Sequence, residues 1–233
     1  MQLFYTNNVQ GKTAYLEAEE TKHCTKTLRK SVGDKLTLTD GKGGLYEAEL
    51  VDFDKKSATL QILEQLPSPD ERDFHLHIAI APTKNNNRLE WFLEKATELG
   101  IDEVSFIQCQ RSERKNIRLE RLEKIVLSAA KQSLKTIFPV LHPLRPFKEV
   151  IKEAKADFKG IAHCNSPSLS PLKEKIGATT QFFLLIGPEG DFSPQEVEWA
   201  KEQGFEEIGL GKSRLRTETA GLMACHTVHL MKS

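Results

Sequence analysis

Neither sign of charge is in excess in this chain: 33 Lys and Arg residues stand against 33 Asp and Glu over 233 residues. Zero net charge nominates no partner by long-range attraction, neither nucleic acid nor a membrane surface. Apolar runs are short, well below the roughly 20 residues that cross a bilayer, so no membrane partner is expected. The opening stretch MQLFYTNNVQGK lacks the basic start and apolar segment of a secretory signal. The four cysteines, Cys24, Cys109, Cys164 and Cys225, form no C-x-x-C pair. That spacing argues against a disulfide framework or zinc site and fits free thiols in a reducing compartment, so the expected location is cytoplasmic. Internal repeats and low-complexity tracts are absent. A chain of this length buries a substantial core, as one large or two small domains.

What is present divides near residue 70. The first part, with DKLTLTDGKGGLYEAELVDFDKKSATLQILEQL, carries short alternating runs separated by Asp40-Gly41, Gly43-Gly44 and Asp54-Lys55. These are hairpin signals and predict a small β-barrel or sandwich over 1–70. The stretch LPSPDER then reads as a linker. Residues 71–233 alternate strand-like and helix-like patterns. FHLHIAIA, VSFIQ, FKGIAHC, FFLLIG and FEEIGLG are the strands, and Leu89, Phe92, Leu93, Ala96 and Leu99 mark one helix that ends at Gly100. A second helix over 119–134 carries Leu119, Leu122, Val126, Ala129 and Ser133 on one face. This alternation predicts an α/β domain with a mainly parallel sheet covered on both faces.

Two glycine-bearing loops follow predicted strands, 187–193 and 209–217, where open α/β sheets usually bind ligands. The first, GPEGDF, runs into Ser193-Pro194-Gln195-Glu196, a capping box with proline at the first helical position. The second, GLGKSRLRTETAG, fails both nucleotide fingerprints, because Glu206 and Arg214 stand where glycines are required. Single glycine turns are usually only turns. Two of them beside a carboxylate and RLRTET point to a pocket.

LLIGPEGDFSPQE together with LGKSRLRTETAGLMA resembles the two cofactor-binding stretches of the RsmE family of SPOUT methyltransferases. EKATELGI, QRSER, AAKQS and LRKSVGDKLTLTDGKGGLYEAEL extend the likeness over most of the chain. The resemblance implies a PUA-like, RNA-binding β-barrel over 1–70 and a SPOUT-type α/β methyltransferase domain with a trefoil knot over 71–233. It also implies S-adenosylmethionine as cofactor, a homodimer, and methylation of N3 of a uridine in 16S small-subunit ribosomal RNA, with the assembled subunit as the expected partner. Carried over by position, the cofactor residues are Gly187, Pro188, Glu189, Gly190, Leu210, Gly211, Leu215, Arg216, Thr217, Glu218, Thr219 and Ala220, with His163 from a third loop. Asp191 departs from the family's usual glycine, and Lys131 from its usual glutamate. Two alternatives stay open: a SPOUT enzyme acting on another RNA atom, such as a ribose 2′-oxygen, or a non-catalytic RNA-binding assembly factor.

Residues 111–135 hold eight basic residues against three acidic ones. Arg111 and Arg114 in QRSER are the RNA-binding candidates, with Lys131 and, in the first domain, Arg29 and Lys30. Residues 118–124 read as a solvated helix face. Arg216 or Arg111 would stabilise negative charge on the uracil carbonyls, and Glu189 or Glu218 could take the N3 proton. No metal is expected: His226 and His229 have no third ligand, and His75 and His77 read as structural or surface groups on a strand. Asn85 to Asn87 read as a helix cap, and Trp91 and Trp199 as packing residues. In TETAGLMACHTVHL, Ala220, Ala224, Thr227 and Val228 share a helical face, expected to meet a second copy across a twofold axis.

Overall fold

The computed structural model describes residues 2–164 and 169–232. Its chain forms two compact units: Met1–Arg72 with Leu127–Phe138, and Asp73–Val126 with Pro139–Ser233.

The first unit contains β1 (Leu3–Tyr5), β2 (Val9–Gln10), β3 (Thr13–Leu16), α1 (Ala18–Lys22), β4 (Lys35–Thr39), β5 (Leu45–Phe53) and β6 (Ala58–Leu66). They build a six-stranded sheet in the order β1-β4-β5-β6-β3-β2, antiparallel except for β1 beside β4. Alternation along these strands sends Phe4, Leu16, Leu38, Leu50 and Leu60 into one core. Proximity in sequence would not have assigned Leu127–Phe138 here. Asp70 holds it, accepting from the Thr136 amide at 2.5 Å and from Lys135 at 3.1 Å, while Gly43 donates to the Thr136 carbonyl. Burial raises the Asp70 carboxyl, but these donors outweigh it and hold it below its ordinary range.

The second unit contains β7 (His75–Ile80), α2 (Asn86–Leu99), β8 (Glu103–Gln108), the first part of α3 (Leu119–Gln132), β9 (Val140–Pro146), α4 (Phe147–Glu153), β10 (Phe158–Ala162), β11 (Ser170–Pro171), β12 (Gln181–Ile186), α5 (Pro194–Glu202), β13 (Glu206–Gly209) and α6 (Thr217–Lys232). All seven strands are parallel, in the order β11-β13-β10-β12-β7-β8-β9. Helices cover both faces, so the central strands β7 and β12 are almost wholly buried and read as apolar runs. One core gathers Leu76, Ile78, Phe92, Phe106, Leu184 and Val228, and the other Ile107, Phe147, Phe183, Phe192 and Val197.

The expected caps form. The Asn85 side chain accepts from the Asn87 amide, and Gly100 ends α2 with φ 97°. Trp91 differs from expectation: it is 41 % exposed, on the solvent side of α2. Trp199 does pack, with the Lys148 ammonium 3.3 Å from its ring centroid. Close approach of α2 and α6 requires Gly221, since a Cβ there would stand 2.7 Å from the Phe92 ring and 3.1 Å from Ile80.

Ala224 is completely buried in the core of its own unit and is therefore not on an outer face as expected. The apolar side chains that α6 does expose are Met223, Leu230 and Met231. Met223 and Leu230, seven residues apart, share another side of the helix, and Met231 is exposed near its end.

Candidate ligand site at the strand ends

Loop 187–193 leaves the carboxyl end of β12, and loop 209–217 leaves that of β13. A buried hydrogen bond joins them: the Thr217 hydroxyl donates to the Gly187 carbonyl at 3.0 Å. The capping box forms as read, with the Ser193 side chain accepting from the Glu196 amide and Glu196 accepting from Ser193. Glu196 is buried yet satisfied, because it also accepts from the Gln110 amide at 2.7 Å. That bond brings the 110–114 segment against the loop. Cys109 behind it is pushed well up by burial and by the Glu196 carboxylate, so its thiol stays protonated.

The glycines of the first loop are set by packing as well as by any ligand. A Cβ on Gly187 would meet Phe192 at 3.1 Å, and one on Gly190 would meet the Arg111 Cβ at 3.1 Å. The left-handed residue in this loop is Asp191, at φ 62°. Aspartate tolerates that conformation better than most residues. Its carboxylate accepts from the Cys164 amide at 2.9 Å and from the Phe192 amide at 2.8 Å. The third loop is thereby tied to the first, a function that glycine could not supply.

Arg111 donates to the Gly190 carbonyl at 3.0 Å and the Phe192 carbonyl at 3.5 Å. Arg114 donates to the Thr83 and Lys84 carbonyls at 2.9 and 2.6 Å. Glu189 accepts from the Lys84 amide at 2.9 Å. Lys84 in turn pairs with Glu113 at 2.8 Å, a contact that raises its ammonium above the usual value. The two arginines thus brace the loops, a role their sequence context did not reveal.

In the second loop Gly211 adopts φ 122° with open space around it, so conformation and not crowding selects glycine there. Leu210 and Leu215 are half-buried and Arg216 is exposed. Thr219 and Ala220 are half-buried in the first turn of α6. Glu218 is the informative residue. Its side chain is 8 % exposed, Oε1 lies 3.7 Å from the Arg88 guanidinium, and Oε2 has no hydrogen-bond partner among the described residues. A buried carboxylate oxygen without a donor is costly, which marks it as a group awaiting one. The His163 imidazole, 1 % exposed, bonds Glu207 at 2.9 Å.

Beside these loops, Arg114, Arg118 and Arg121 line a cavity of about 440 Å³ with Asn86 and Asn116, over Leu89 and Leu122. Arg121 is neutralised by Glu90 at 2.8 Å. The remaining RNA candidates lie in the first unit. Lys131 is ion-paired with Glu20. Arg29 is exposed and left-handed at φ 56°, and Lys30 reaches the Lys35 carbonyl at 3.4 Å.

A family model described as an RNA methyltransferase domain matches residues 70–229, and one described as an RNA methyltransferase PUA domain matches 16–63. Ribosomal RNA small subunit methyltransferase E of Synechocystis is 30 % identical over 225 residues, covering 94 % of this chain and 73 % of that protein. A crystal structure of a probable rRNA-methyltransferase from Porphyromonas gingivalis superposes with TM-score 0.90 at 42 % identity, covering 100 % and 98 % of the two chains. Ribosomal RNA small subunit methyltransferase E from Neisseria gonorrhoeae, solved bound to S-adenosyl methionine, gives 0.87 at 28 % identity, covering 99 % and 97 %.

Proposed function

The chain belongs to the ribosomal RNA small subunit methyltransferase E family, and we propose that it methylates N3 of a uridine in small-subunit ribosomal RNA, using S-adenosylmethionine. The observation that carries this reading is the pair of strand-end loops joined by Thr217 and Gly187, with the unsatisfied Glu218 carboxylate beside them. Those features suit a polar cofactor: Gly211 leaves open space, and Glu218 offers an acceptor for a hydroxyl or ammonium group. Gly187, Pro188, Glu189 and Gly190 would form one side of the cradle, and Leu210, Gly211, Leu215 and Thr217 to Ala220 the other. When bound, the cofactor supplies an electrophilic methyl group.

This chain's residues then have to orient the acceptor and manage a proton. N3 lies on the pairing edge, so the uridine must be unpaired or turned out. Arg216, exposed at the end of the second loop, would reach the uracil carbonyls and stabilise the charge left when N3 loses its proton. Glu189 is engaged with the Lys84 amide through one oxygen, which favours Glu218 over it as the less committed carboxylate. Arg111 keeps the first loop in shape, and its exposed side chain would be free to meet phosphate as well. Arg118 and the cavity it lines would add cationic surface; Arg29 and Lys30 are the candidates of the PUA-like unit taken by itself.

Among the described residues no helix is long and apolar enough to cross a membrane. Ribosomal RNA as substrate agrees with a cytoplasmic site of action. We assign the homodimer contact to the exposed Met223, Leu230 and Met231 of α6. The knot implied by the resemblance would keep the two loops together, and the Thr217–Gly187 bond supports their contact.

The decisive experiment incubates the purified protein with S-adenosylmethionine and small subunits from cells lacking it, followed by nucleoside mass spectrometry. The expected product is N3-methyluridine. A ribose-methylated nucleoside would redirect the site to another atom, and absence of both product and cofactor binding would make the chain a binding protein.

A further inference from the structure

At the opposite, amino-terminal end of the parallel sheet lies a second cluster that the reaction does not use. His77, Glu103 and His142 belong to the neighbouring strands β7, β8 and β9, with His77 level with Glu103 and Ser105 level with His142. Glu103 Oε2 lies 2.5 Å from His142 Nε2 and 3.7 Å from His77 Nδ1. One ligand atom from each of the three lies within 4.8 Å of the others. We propose that these three side chains bind a divalent transition-metal ion of the zinc class, fastening the edge strand β9 to the sheet.

Four features carry this reading. The donor set, two imidazoles and one carboxylate, suits zinc, cobalt or nickel, whereas magnesium and calcium prefer oxygen alone. The His77 ring is already oriented, because its other nitrogen, Nε2, bonds Ser105 Oγ at 2.8 Å. Metal-ligating histidines are ordinarily fixed in this way through the nitrogen that does not ligate. Separation is also close to that needed: two atoms on a tetrahedral ion with bonds of about 2.0–2.1 Å stand roughly 3.3 Å apart. The His77–Glu103 distance is near this value, and the His142–Glu103 contact has to open by less than about 1 Å. Finally, His142 and Glu103 are partly exposed while His77 is walled by Phe183, its ring centroid 4.3 Å away. An ion therefore has an entrance on one side and a dry wall on the other. His75, 3.1 Å from Glu103 Oε1, steadies the carboxylate's second oxygen. The two histidines of HLH gave no metal signal in the sequence, since the other ligands come 26 and 65 residues after His77.

The test titrates the purified chain with zinc chloride by calorimetry and with cobalt chloride by visible absorption, beside Glu103→Gln, His142→Ala and Ser105→Ala. One ion per chain should bind the wild type, with cobalt bands of a low-coordinate nitrogen–oxygen site. Each ligand variant should lose more than roughly 100-fold in affinity, and Ser105→Ala about 10–100-fold, as for partners of ligating histidines. Zinc should raise the melting temperature of the wild type and not of His142→Ala, while methyl transfer by His142→Ala stays at the wild-type rate. Magnesium chloride should have no effect. Circular dichroism checks each fold, and Glu103→Gln, nearly isosteric, serves if His142→Ala does not fold. Failure of the wild type to bind zinc, or equal binding by folded wild type and Glu103→Gln, overturns the proposal and leaves Glu103 as a hydrogen-bonding hub for three histidines.

Discussion

The Thr217 hydroxyl and the Gly187 carbonyl, 30 residues apart in sequence, meet at 3.0 Å in a buried hydrogen bond that locks two strand-end loops together. Thr217→Val keeps the shape of the side chain and removes the donor. A buried carbonyl left unpaired costs about 1–3 kcal/mol, so affinity for S-adenosylmethionine should fall by roughly tenfold or more. Thr217→Ser should retain most of it. Calorimetry on the three proteins decides the matter, and equal affinities would mean that the loops hold their positions without this bond.

Asp191 supplies both a left-handed backbone and a tie to the Cys164 amide. Asp191→Asn should be the mildest change, because asparagine tolerates φ near +60° and still accepts a hydrogen bond. Asp191→Ala loses the tie and adds about 1–2 kcal/mol of backbone strain. Asp191→Gly relieves the strain but not the lost tie. Thermal unfolding should therefore rank alanine below glycine and glycine below asparagine.

Arg111 and Arg118 should separate bracing from RNA contact. Arg111→Ala frees the Gly190 carbonyl, so cofactor affinity and RNA affinity should both fall. Arg118→Ala should leave cofactor affinity unchanged and weaken RNA alone, with the salt dependence shallower by about 0.7–0.9 for a lost phosphate contact. An unaltered salt slope in Arg118→Ala would return that residue to a solvated helix face.

On α6, two substitutions six residues apart should behave oppositely. Ala224 is wholly buried, so Ala224→Arg should abolish the fold. Leu230 is 63 % exposed, so Leu230→Arg should leave circular dichroism unchanged while converting a dimer to a monomer in light scattering. A folded Leu230→Arg dimer would move the interface elsewhere.

Asp70 gives a pH prediction. Its carboxyl is held below the ordinary value in the folded state, burial opposing and the Thr136 and Lys135 donors prevailing. The unfolded chain then binds the proton more readily. The stabilisation is complete above the unfolded value, near 3.9, and is lost as pH falls through the lower folded value. Chemical denaturation from pH 6 to pH 2.5 should show a drop at the acid end that is smaller in Asp70→Asn. That variant should also be less stable at pH 6, having surrendered the ion pair with Lys135.

Periodicity and turn chemistry in the sequence were sufficient for the elements themselves. Alternating runs gave the strands of the first unit, apolar runs between helical patterns gave the buried parallel sheet, and Asn85, Gly100 and Ser193 marked helix ends that form as read. These signals are local, carried by residues within one or two turns of each other. The two strand-end loops were legible because glycines beside a capping box leave a mark in a dozen residues. What the tertiary structure alone decided depends on partners far apart in the chain. Leu127–Phe138 joins the first unit through Asp70, Arg111 and Arg114 spend their guanidinium groups on loop carbonyls, and Lys131 is taken by Glu20. The face of α6 was misread for the same reason: small residues fit both an outer contact and an inner one. In the folded chain Phe92 and Ile80 close on Gly221, with Ala224 inward and Met223 and Leu230 left outside.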